Sequence, residues 1–475
     1  MGKCLPARQY ESEVNKNGEL HEILTLVEEQ KFSKLREVLD DMNPADIAEQ
    51  LAEIEDDKSL VVTFRLLPKE QAAEVFSYLE PHEQQRIVEG ISDRELASIV
   101  NEMFNDDAVD FTEEMPANIV KRVLSTADAE TRKAINQLLK YPESSAGSLM
   151  TTELLRFKSE WTVARAIEHV RKSCMELASI TYAFVTDDFR HLNGVVSMKE
   201  VLGASDEELI GDIMDTDVIY AGTLEDQEDV AERFKKYDVV SMPVVDGEMR
   251  LVGLITIDDV VDVLEDENTE DIYKMAAMAP IDDSYIETPV VQIAKKRVVW
   301  LLVLMISATF TGMIITSFEN VLAKVAILTA FIPMLMDTSG NSGSQASVSI
   351  IRSLVLGEVE FRDIFKVIWK EFRVSILVGA VVALANFLRI LVCHWIGIYS
   401  VEAGQSIYVI GAVVSLTLFV AIICAKFVGC TLPLLADKCK LDPALMASPM
   451  ITTIVDAVTL LVYFAIASAV LPNLF

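Results

Sequence analysis

Asp456 is the single carboxylate in the last long apolar stretch of the chain, which makes it the clearest candidate for chemistry with a cation. A charged side chain at such a depth in an apolar segment is costly, so it faces protein or water rather than lipid. Three hydroxyl side chains precede it, at Ser448, Thr452 and Thr453. Carboxylates, hydroxyls and carbonyls are the ligands that hard cations take. We therefore predict a cation position around Asp456, and a carboxylate paired with a basic residue such as Arg389 is the alternative.

Residues 340–347 form the second candidate, a polar segment that follows an apolar run. The segment holds two glycines and five hydrogen-bonding side chains, among them Asn341. Non-helical backbone at membrane depth is tolerated only where it is buried in protein or lines a water-filled cavity. Pro333 in the preceding run favours a break in the helix, so we expect 340–347 to be non-helical, with Asn341 facing the ions. An ordinary polar loop after a membrane span is the alternative.

Five apolar runs must position these residues, and all of them lie in the last part of the chain. The run from Val298 to Thr316 has 19 residues without a charge, and at about 1.5 Å per residue it can cross a hydrocarbon core about 30 Å thick. A large soluble core would not give five such runs in succession. We predict transmembrane helices at about 298–316, 325–345, 374–398, 403–436 and 449–471.

The charges in the connections predict how these helices are oriented. Two connections are rich in basic residues, whereas the loop at 400–406 and the C-terminal tail have none. Cytoplasmic connections of membrane proteins carry the excess of Lys and Arg. We therefore expect residues 1–297 in the cytoplasm and the C-terminus outside. The basic residues behind this prediction are Arg352, Arg362, Lys366, Lys370, Arg373, Lys426, Lys438 and Lys440.

The chain has 475 residues and a formal net charge of −32, and one half carries nearly all of this charge. Residues 291–475 hold 13 of the 41 basic and 10 of the 73 acidic residues, which leaves 28 basic and 63 acidic residues in 1–290. Such an acidic half excludes binding to nucleic-acid phosphates by counterion release and favours cations as partners. The sequence has neither a GxxxxGK(S/T) loop nor an HExxH helix, so we do not expect an enzyme.

Residues 21–140, after a tail at 1–20, have the pattern of an all-α domain. Apolar residues recur at helical spacing, and cap-like pairs separate short units at Asn43–Pro44, Ser92–Asp93 and Asn105–Asp106. Apolar residues also recur with a 12-residue period, at Leu67, Leu79, Ile91, Met103 and Met115. We predict a superhelical stack of short helices, and nothing in it indicates catalysis.

Residues 141–264 contain an internal repeat. The first copy opens at Ala146 with AGSLM and closes at Gly194 with GVVSMKEVL, and the second opens at Ile210 with IGDIM and closes at Gly253 with GLITIDDVV. Each copy indicates the order strand, helix, strand, strand, helix. This pattern resembles a tandem pair of cystathionine-β-synthase (CBS) domains, at 141–205 and 206–264. Such α/β pairs are regulatory modules that often bind adenosine nucleotides or metal ions, so an ATP site here stays open.

The order of these parts resembles the MgtE family of magnesium channels and transporters over essentially the full length. Three motifs carry the resemblance: PMLM at 333–336 with GNSGSQ at 340–345, DPAL at 442–445 leading to TTIVD at 452–456, and ENTEDIY at 267–273. The last resembles the start of the family's connecting (plug) helix. Two positions depart from the family pattern, Ser339 where a second glycine is usual and Asp337 where an uncharged residue is common. The resemblance implies a connecting helix and linker at 265–295 and a five-helix membrane domain at 296–475.

The resemblance also implies an activity. It indicates a homodimeric, Mg²⁺-selective channel of the cytoplasmic membrane, with the pore between the subunits, that closes when intracellular Mg²⁺ binds its acidic cytosolic domains. The pore residues would be Asp456, Thr452, Thr453, Asn341 and Ser448. The regulatory positions that match the family are Asp106, Asp110, Asp226, Glu228, Asp238, Asp259, Asp262, Glu267, Glu270, Asp271 and Asp442.

Crowded carboxylates give such regulation a physical basis. Across a domain interface they repel one another until divalent cations bridge them, so Mg²⁺ would bind one arrangement better than another, as a switch requires. For any single carboxylate, a solvated surface position is the alternative. Two other functions stay open: a secondary transporter that couples Mg²⁺, Co²⁺ or Mn²⁺ to Na⁺ or H⁺, and a membrane-anchored CBS nucleotide sensor.

Overall fold

The chain divides into two compact units, residues 1–264 and 265–475. The computed structural model describes residues 23, 25–27, 29–281, 285, 288–319, 326–399, 406–446 and 448–470. The predicted tail at 1–20 and most of the loop at 400–406 lie outside these residues.

The first unit begins with a series of short helices, as the 12-residue period predicts. The described residues from 32 to 138 form nine of them. They are α1 (Phe32–Asp40), α2 (Pro44–Ala52), α3 (Asp57–Phe64), α4 (Lys69–Ser77), α5 (Pro81–Gly90), α6 (Asp93–Val100), α7 (Asn105–Glu114), α8 (Ala117–Thr126) and α9 (Ala129–Leu138).

The 12-residue period arises because one apolar side chain lies in the turn after each of the helices α3 to α7. All five of its members are buried and lie one to three residues beyond the ends of α3 to α7. In each turn this side chain therefore packs into the same hydrophobic core as the helices on either side of it. This arrangement explains why units of 8 to 10 residues, which are too short to be stable alone, form helices here.

Two of the three predicted helix caps are confirmed. Asn43 accepts a hydrogen bond of 3.0 Å from the amide of Ala45 at the start of α2. Ser92 and Glu95 form a reciprocal capping box at α6. The third prediction is wrong, because Asn105 is already inside α7 and its amide donates to side chains beyond the helical stack.

Two three-stranded sheets follow, one for each copy of the repeat. The first copy contains β1 (Leu154–Phe157), α10 (Val163–Ser173), β2 (Ser179–Thr186), β3 (Leu192–Ser197) and α11 (Met198–Gly203), and the second contains α12 (Ile210–Ile213), β4 (Ala221–Gly222), α13 (Gln227–Tyr237), β5 (Ser241–Val245), β6 (Leu251–Thr256) and α14 (Ile257–Met275). In each sheet the middle strand pairs in parallel with the first strand and antiparallel with the third. The predicted strand and helix order is confirmed in both copies.

The segment that opens each copy pairs with the last strand of the other copy. Thr151 and Leu254 exchange backbone hydrogen bonds of 2.8 and 2.9 Å, and Asp215 and Val195 exchange two of 2.8 Å. Gly253 allows this approach, since a side chain there would collide with Met150. The two copies therefore form one crossed pair rather than two adjacent domains.

The second unit contains the long apolar helices. They are α15 (Val290–Ser317), α16 (Ile332–Val355), α17 (Ile364–Trp395), α18 (Ile407–Lys438) and α19 (Ser448–Val470). By length and composition, four described helices can cross a membrane, at Val290–Ser317, Phe361–Trp395, Ile407–Lys438 and Pro443–Val470. The helix α16 has 24 residues, long enough to span, but small and polar residues make up the middle of its buried face, and large apolar ones occur only towards its ends.

The predicted helix break at 340–347 is wrong, because these residues lie inside α16. The break comes earlier, where the 3₁₀ turn Ala326–Phe331 precedes Pro333 in the first turn of the helix. Proline is favoured at that position because its missing N–H has no partner there anyway. Serine and glycine do not break a helix whose neighbours pack closely against it, since the backbone hydrogen bonds stay internal.

The third predicted span is also longer than expected. It begins at Ile364 rather than 374, so Lys366, Lys370 and Arg373 lie on the first turns of α17. The other two basic residues assigned to the connection lie before this helix, Arg352 in the last turn of α16 and Arg362 in a 3₁₀ turn. Lysine and arginine can extend their charged ends towards water while their stems cover apolar surface, which lets a membrane helix continue through basic sequence.

Small residues let the three inner helices α16, α18 and α19 pack closely. A Cβ at Gly340 would lie 2.9 Å from Thr452 Cγ2, and one at Gly343 would lie 3.0 Å from Ile451 Cγ2. A Cβ at Gly429 would collide with the carbonyl oxygen of Gly343. Helices in membranes associate through such close packing, because lipid provides no hydrophobic force between them.

We predict that Gly429→Ala destabilises the membrane domain by about 1–3 kcal/mol, the usual cost of overpacking. The obstacle is backbone, so no side-chain rotation relieves the collision. The thermal unfolding midpoint of the full chain in detergent measures the effect.

Gly312→Ala is the matched control, because a Cβ at Gly312 in α15 would meet no atom within 4 Å. The expected result is a lower midpoint for Gly429→Ala alone. Equal midpoints for the two variants would show that this contact does not support the packing.

Candidate cation sites

The two helices that carry the predicted pore residues, α16 and α19, are antiparallel and are joined by hydroxyl groups. Ser339 Oγ lies 2.7 Å from Thr459 Oγ1, and Ser344 Oγ lies 3.1 Å from Ser448 Oγ. Residue numbers rise along one helix as they fall along the other, so this register brings Asp456 level with the beginning of the polar segment.

A polar row runs along one exposed face of α16. Asp337, Asn341, Gln345 and Ser349 recur at every fourth residue and are all exposed within one chain, so they share a face of the helix. The amide of Asn341 donates to Asp337 Oδ1 at 3.2 Å. Such a row cannot face lipid without a large cost, so it faces water or a second protein surface.

Asp456 and its hydroxyl neighbours are partly buried on α19. Thr452 Oγ donates to the Ser448 carbonyl at 2.9 Å, and Thr453 Oγ donates to the Pro449 carbonyl at 2.9 Å. These bonds use the hydroxyl hydrogens and direct no hydrogen at an ion, so the oxygen lone pairs stay available as acceptors.

The pairing of Asp456 with Arg389 does not occur in the structure. The Arg389 guanidinium donates to Asn386 Oδ1 at 2.9 Å, and the amide of Asn386 donates to Ser415 at 3.2 Å. In the described part of the chain, no ion pair includes Asp456. The charged group that acts on it is another acid, Asp337. The two carboxylates therefore leave a local excess of negative charge in the membrane domain.

A second acidic group lies inside the first unit, where α7 approaches the start of α14. The α7 residues are Asp106, Asp107 and Asp110, and Asp258 and Asp259 begin α14. Asp106 is nearly buried, and its Oδ1 has no hydrogen-bond partner in the described structure. Asp259 Oδ2 accepts hydrogen bonds from the backbone and hydroxyl of Thr256, so one of these acids is fixed in place.

Burial and mutual repulsion shift the ionisation of this group. Burial raises the pKa of Asp110 to about 7, and the charges of Asp107 and Asp259 act in the same direction. Burial, with the charge of Asp259, raises the pKa of Asp107 to about 6. Burial raises the pKa of Asp259 to about 6 despite its bonds to Thr256, and it raises the pKa of Asp106 well above the ordinary value.

The other predicted regulatory residues of the first unit are placed differently. Asp226 caps α13 by accepting from the amide of Glu228, and Asp238 ends that helix in a left-handed conformation. Both positions have local structural roles. Asp262 acts electrostatically on Asp259 and so belongs with the α7 group.

The sequence reading missed Asp107. The run Asp106–Asp107 followed by Asp110 could have revealed it, because residues three apart share a helix face as well as residues four apart.

A third acidic group lies in the second unit, at the end of α14. Lys274 Nζ pairs with Glu270 at 2.8 Å and with Asp442 at 2.7 Å. Burial raises the pKa of Asp271, and the charge of Asp442 adds to the effect. Four of the predicted residues, Glu267, Glu270, Asp271 and Asp442, therefore act on one another around a lysine.

The described residues hold no cluster of three or more His, Cys, Asp or Glu side chains close enough to enclose a metal ion directly. The unpartnered Oδ1 of Asp106 nevertheless fits a cation held through its own water, which is how Mg²⁺ prefers to bind. The carboxylates on α7 and α14 would then act as acceptors for water on the ion.

Known families match residues 42–266 almost continuously and then residues 332–466, and they leave the two ends and residues 267–331 unmatched. The MgtE family, described as a divalent cation transporter, matches residues 332–466, and the MgtE intracellular N domain matches 42–144. The CBS domain matches residues 146–207 and 210–266.

Two known relatives match this chain over nearly its whole length. The magnesium transporter MgtE of Thermus thermophilus is 34% identical over 441 residues, which is 92% of this chain and 95% of that protein. The magnesium transporter MgtE of Bacillus subtilis is 33% identical over 453 residues, 95% and 97% of the two chains.

Two solved structures resemble the soluble part. The cytosolic domain of the Mg²⁺ channel MgtE in complex with ATP is 33% identical, has a TM-score of 0.50 and covers 51% of this chain and 99% of that one. The soluble part of a magnesium transporter is 27% identical, has a TM-score of 0.50 and covers 53% and 99%.

We predict that the packing of α7 against α14 weakens as the pH rises. Raised pKa values mean that the packed state binds protons more tightly than the separated state, so its stability is greatest when the acids are protonated. That stability is lost as the pH passes about 6 to 7. Hydrogen exchange of the α7 amides in the full chain without Mg²⁺ should show protection lower at pH 8 than at pH 6, by a factor on the order of ten after correction for intrinsic exchange.

Millimolar Mg²⁺ should restore the protection at pH 8, since it replaces the protons. The variant Asp106→Asn/Asp110→Asn should be protected at both pH values without Mg²⁺. Protection in the wild type that is independent of pH and of Mg²⁺ would contradict the role of these acids.

Proposed function

The chain belongs to the MgtE family, and on that premise we propose that it is a channel that carries Mg²⁺ across a membrane. Its full-length relatives are magnesium transporters, and its second unit contains helices able to span a membrane. The observation that carries the proposal is Asp456, a partly buried carboxylate in a membrane helix whose charged neighbour is a second acid. A site that collects negative charge at that depth is suited to a passing cation.

The groups around Asp456 favour a hydrated ion. Mg²⁺ needs near-octahedral oxygen ligands and gives up water reluctantly. The hydroxyl oxygens of Thr452 and Thr453 and the amide of Asn341 can contact water on the ion, while Asp456 supplies charge. A path wide enough for the hydrated ion and lined by such acceptors can select by size and by charge.

A homodimer would complete this path. Within one chain the polar row of α16 is exposed, and lipid is a poor neighbour for it. A second copy related by a two-fold axis would face that row with an identical one, with the ions passing between the subunits. It would also double the carboxylates that one chain supplies.

The acids outside the membrane domain would form the gate. Near neutral pH, Asp107 and Asp259, whose pKa values are raised to about 6, are mostly ionised and repel each other, so Mg²⁺ that binds there would favour the packed state. Lys274 already joins α14 to Asp442, the first residue of the DPAL motif. Mg²⁺ on the acids around it would hold the same connection more firmly. High intracellular Mg²⁺ would thus close the path, with residues 1–297 in the cytoplasm and the C-terminus outside.

Two other functions can be separated from this one by experiment. A transporter coupled to Na⁺ or H⁺ would lose Mg²⁺ uptake when that gradient is collapsed at fixed voltage, whereas a channel would not. A CBS nucleotide sensor on a membrane anchor gains support from the relative solved with ATP, but it would give no Mg²⁺ flux in liposomes. ATP binding to the CBS pair of this chain is compatible with a channel.

We predict that Asp456→Asn lowers Mg²⁺ flux in liposomes by roughly tenfold or more, because the charge that concentrates the ion is lost. The variant keeps the size of the side chain, so the fold and the amount of protein should be unchanged. Asp363→Asn is the control, as Asp363 pairs with Lys366 at the start of α17, away from the polar row. Equal flux for wild type and Asp456→Asn would remove Asp456 from the path.

We also predict how the α7 acids affect the gate. Without their repulsion the packed state needs no cation, so Asp106→Asn/Asp110→Asn should give low flux even when internal Mg²⁺ is low. Flux measured against internal Mg²⁺ tests this expectation. If the variant instead conducts at high internal Mg²⁺, the carboxylates are required as ligands and repulsion alone does not drive the switch.

A further inference from the structure

We propose that Asp337 is a second ion-binding residue of the path, which with Asp456 forms a paired acidic position for a divalent cation. This inference rests on the proposed function. In the sequence, this carboxylate lies in the second turn of α16, and no basic residue occurs between Lys324 and Arg352.

The packing of α16 on α19 places Asp337 opposite Asp456. The contacts Ser339–Thr459 and Ser344–Ser448 fix the register. The Ser344–Ser448 contact and the close approach of Gly340 to Thr452 lie one turn apart on each helix, and a further turn along the same two faces brings Asp456 beside residues 336–337. The electrostatic effect of Asp337 on Asp456 agrees with this placement.

The surroundings of Asp337 direct its carboxylate to the same side as the predicted pore residues. Its side chain is exposed on the face that also carries Asn341 and Gln345. The amide of Asn341 donates to Oδ1 at 3.2 Å. In the described structure no ion pair includes Asp337, so no Lys or Arg neutralises it. A charge of this kind persists in a membrane helix only where water or a cation reaches it.

Two acids at one level change what the position can do. A single carboxylate attracts monovalent and divalent cations, whereas two close carboxylates repel each other and gain most from a doubly charged ion between them. In a two-fold dimer four acids would surround the path at this level. We infer that Asp337 increases the preference of this chain for divalent over monovalent cations, with the ion still held through water.

Asp337→Asn tests the inference, because an asparagine at this position can still accept the hydrogen bond from Asn341. The expected result in liposomes is a half-saturating Mg²⁺ concentration raised by roughly tenfold and a similar fall in the permeability ratio of Mg²⁺ to Na⁺. Asp337→Glu should keep the ratio near the wild-type value, since it keeps the charge. A residue needed only to position Asn341 would show the opposite pattern, with Asp337→Asn harmless.

Glu358→Gln is the matched control, since it removes an exposed carboxylate in the turn after α16. Folding is checked by the amount and the elution volume of each variant in detergent. Wild-type affinity and permeability ratio in Asp337→Asn, while Asp456→Asn loses both, would overturn the role of Asp337 and leave the channel intact. Absence of Mg²⁺ flux in the wild type would instead overturn the proposed function itself.

Discussion

Carboxylates held near one another without enough cations are the constraint on which the protein depends. They occur on α7 beside α14, around Lys274 and on the facing helices α16 and α19. In each place burial adds to the cost, because charges interact more strongly where water is scarce. The fold tolerates this cost only if a proton, a lysine or a metal ion compensates for it. The proposed ion path and the proposed regulatory domains therefore share one physical constraint.

Small side chains let the helices of the membrane domain pack closely beside these carboxylates. Gly340, Gly343 and Gly429 let three helices approach closely, and serine hydroxyls connect them. Because the helices pack through small residues, the polar row of α16 can stay on the outside of one chain. The helix α16 thus packs closely through one face and carries exposed polar side chains on another. This division explains why α16 is the least apolar of the long helices.

The sequence predicted the helices and strands well wherever residues of one type recur at a regular spacing. The 12-residue period indicated the short helices, the internal repeat indicated the two sheets, and the apolar runs indicated the long helices. The prediction failed at 340–347, where glycine and serine suggested a break but serve helix packing, and at the start of α17, where basic residues suggested a loop. The separate acids were visible in the sequence, but their grouping was not. Asp106 and Asp259 meet only through the tertiary fold, and the level of Asp337 depends on a helix register that no local pattern encodes.

The crossed pairing of the two CBS copies has a consequence for how this region folds and how it can be divided. Since Thr151 completes the sheet of the second copy and Asp215 that of the first, neither copy has all its backbone partners within its own sequence. A gene fragment encoding one copy would leave a strand edge unpaired, and unpaired edges invite association. Two separately expressed halves should therefore recognise each other through these edges, and each should be less stable alone than in the intact pair.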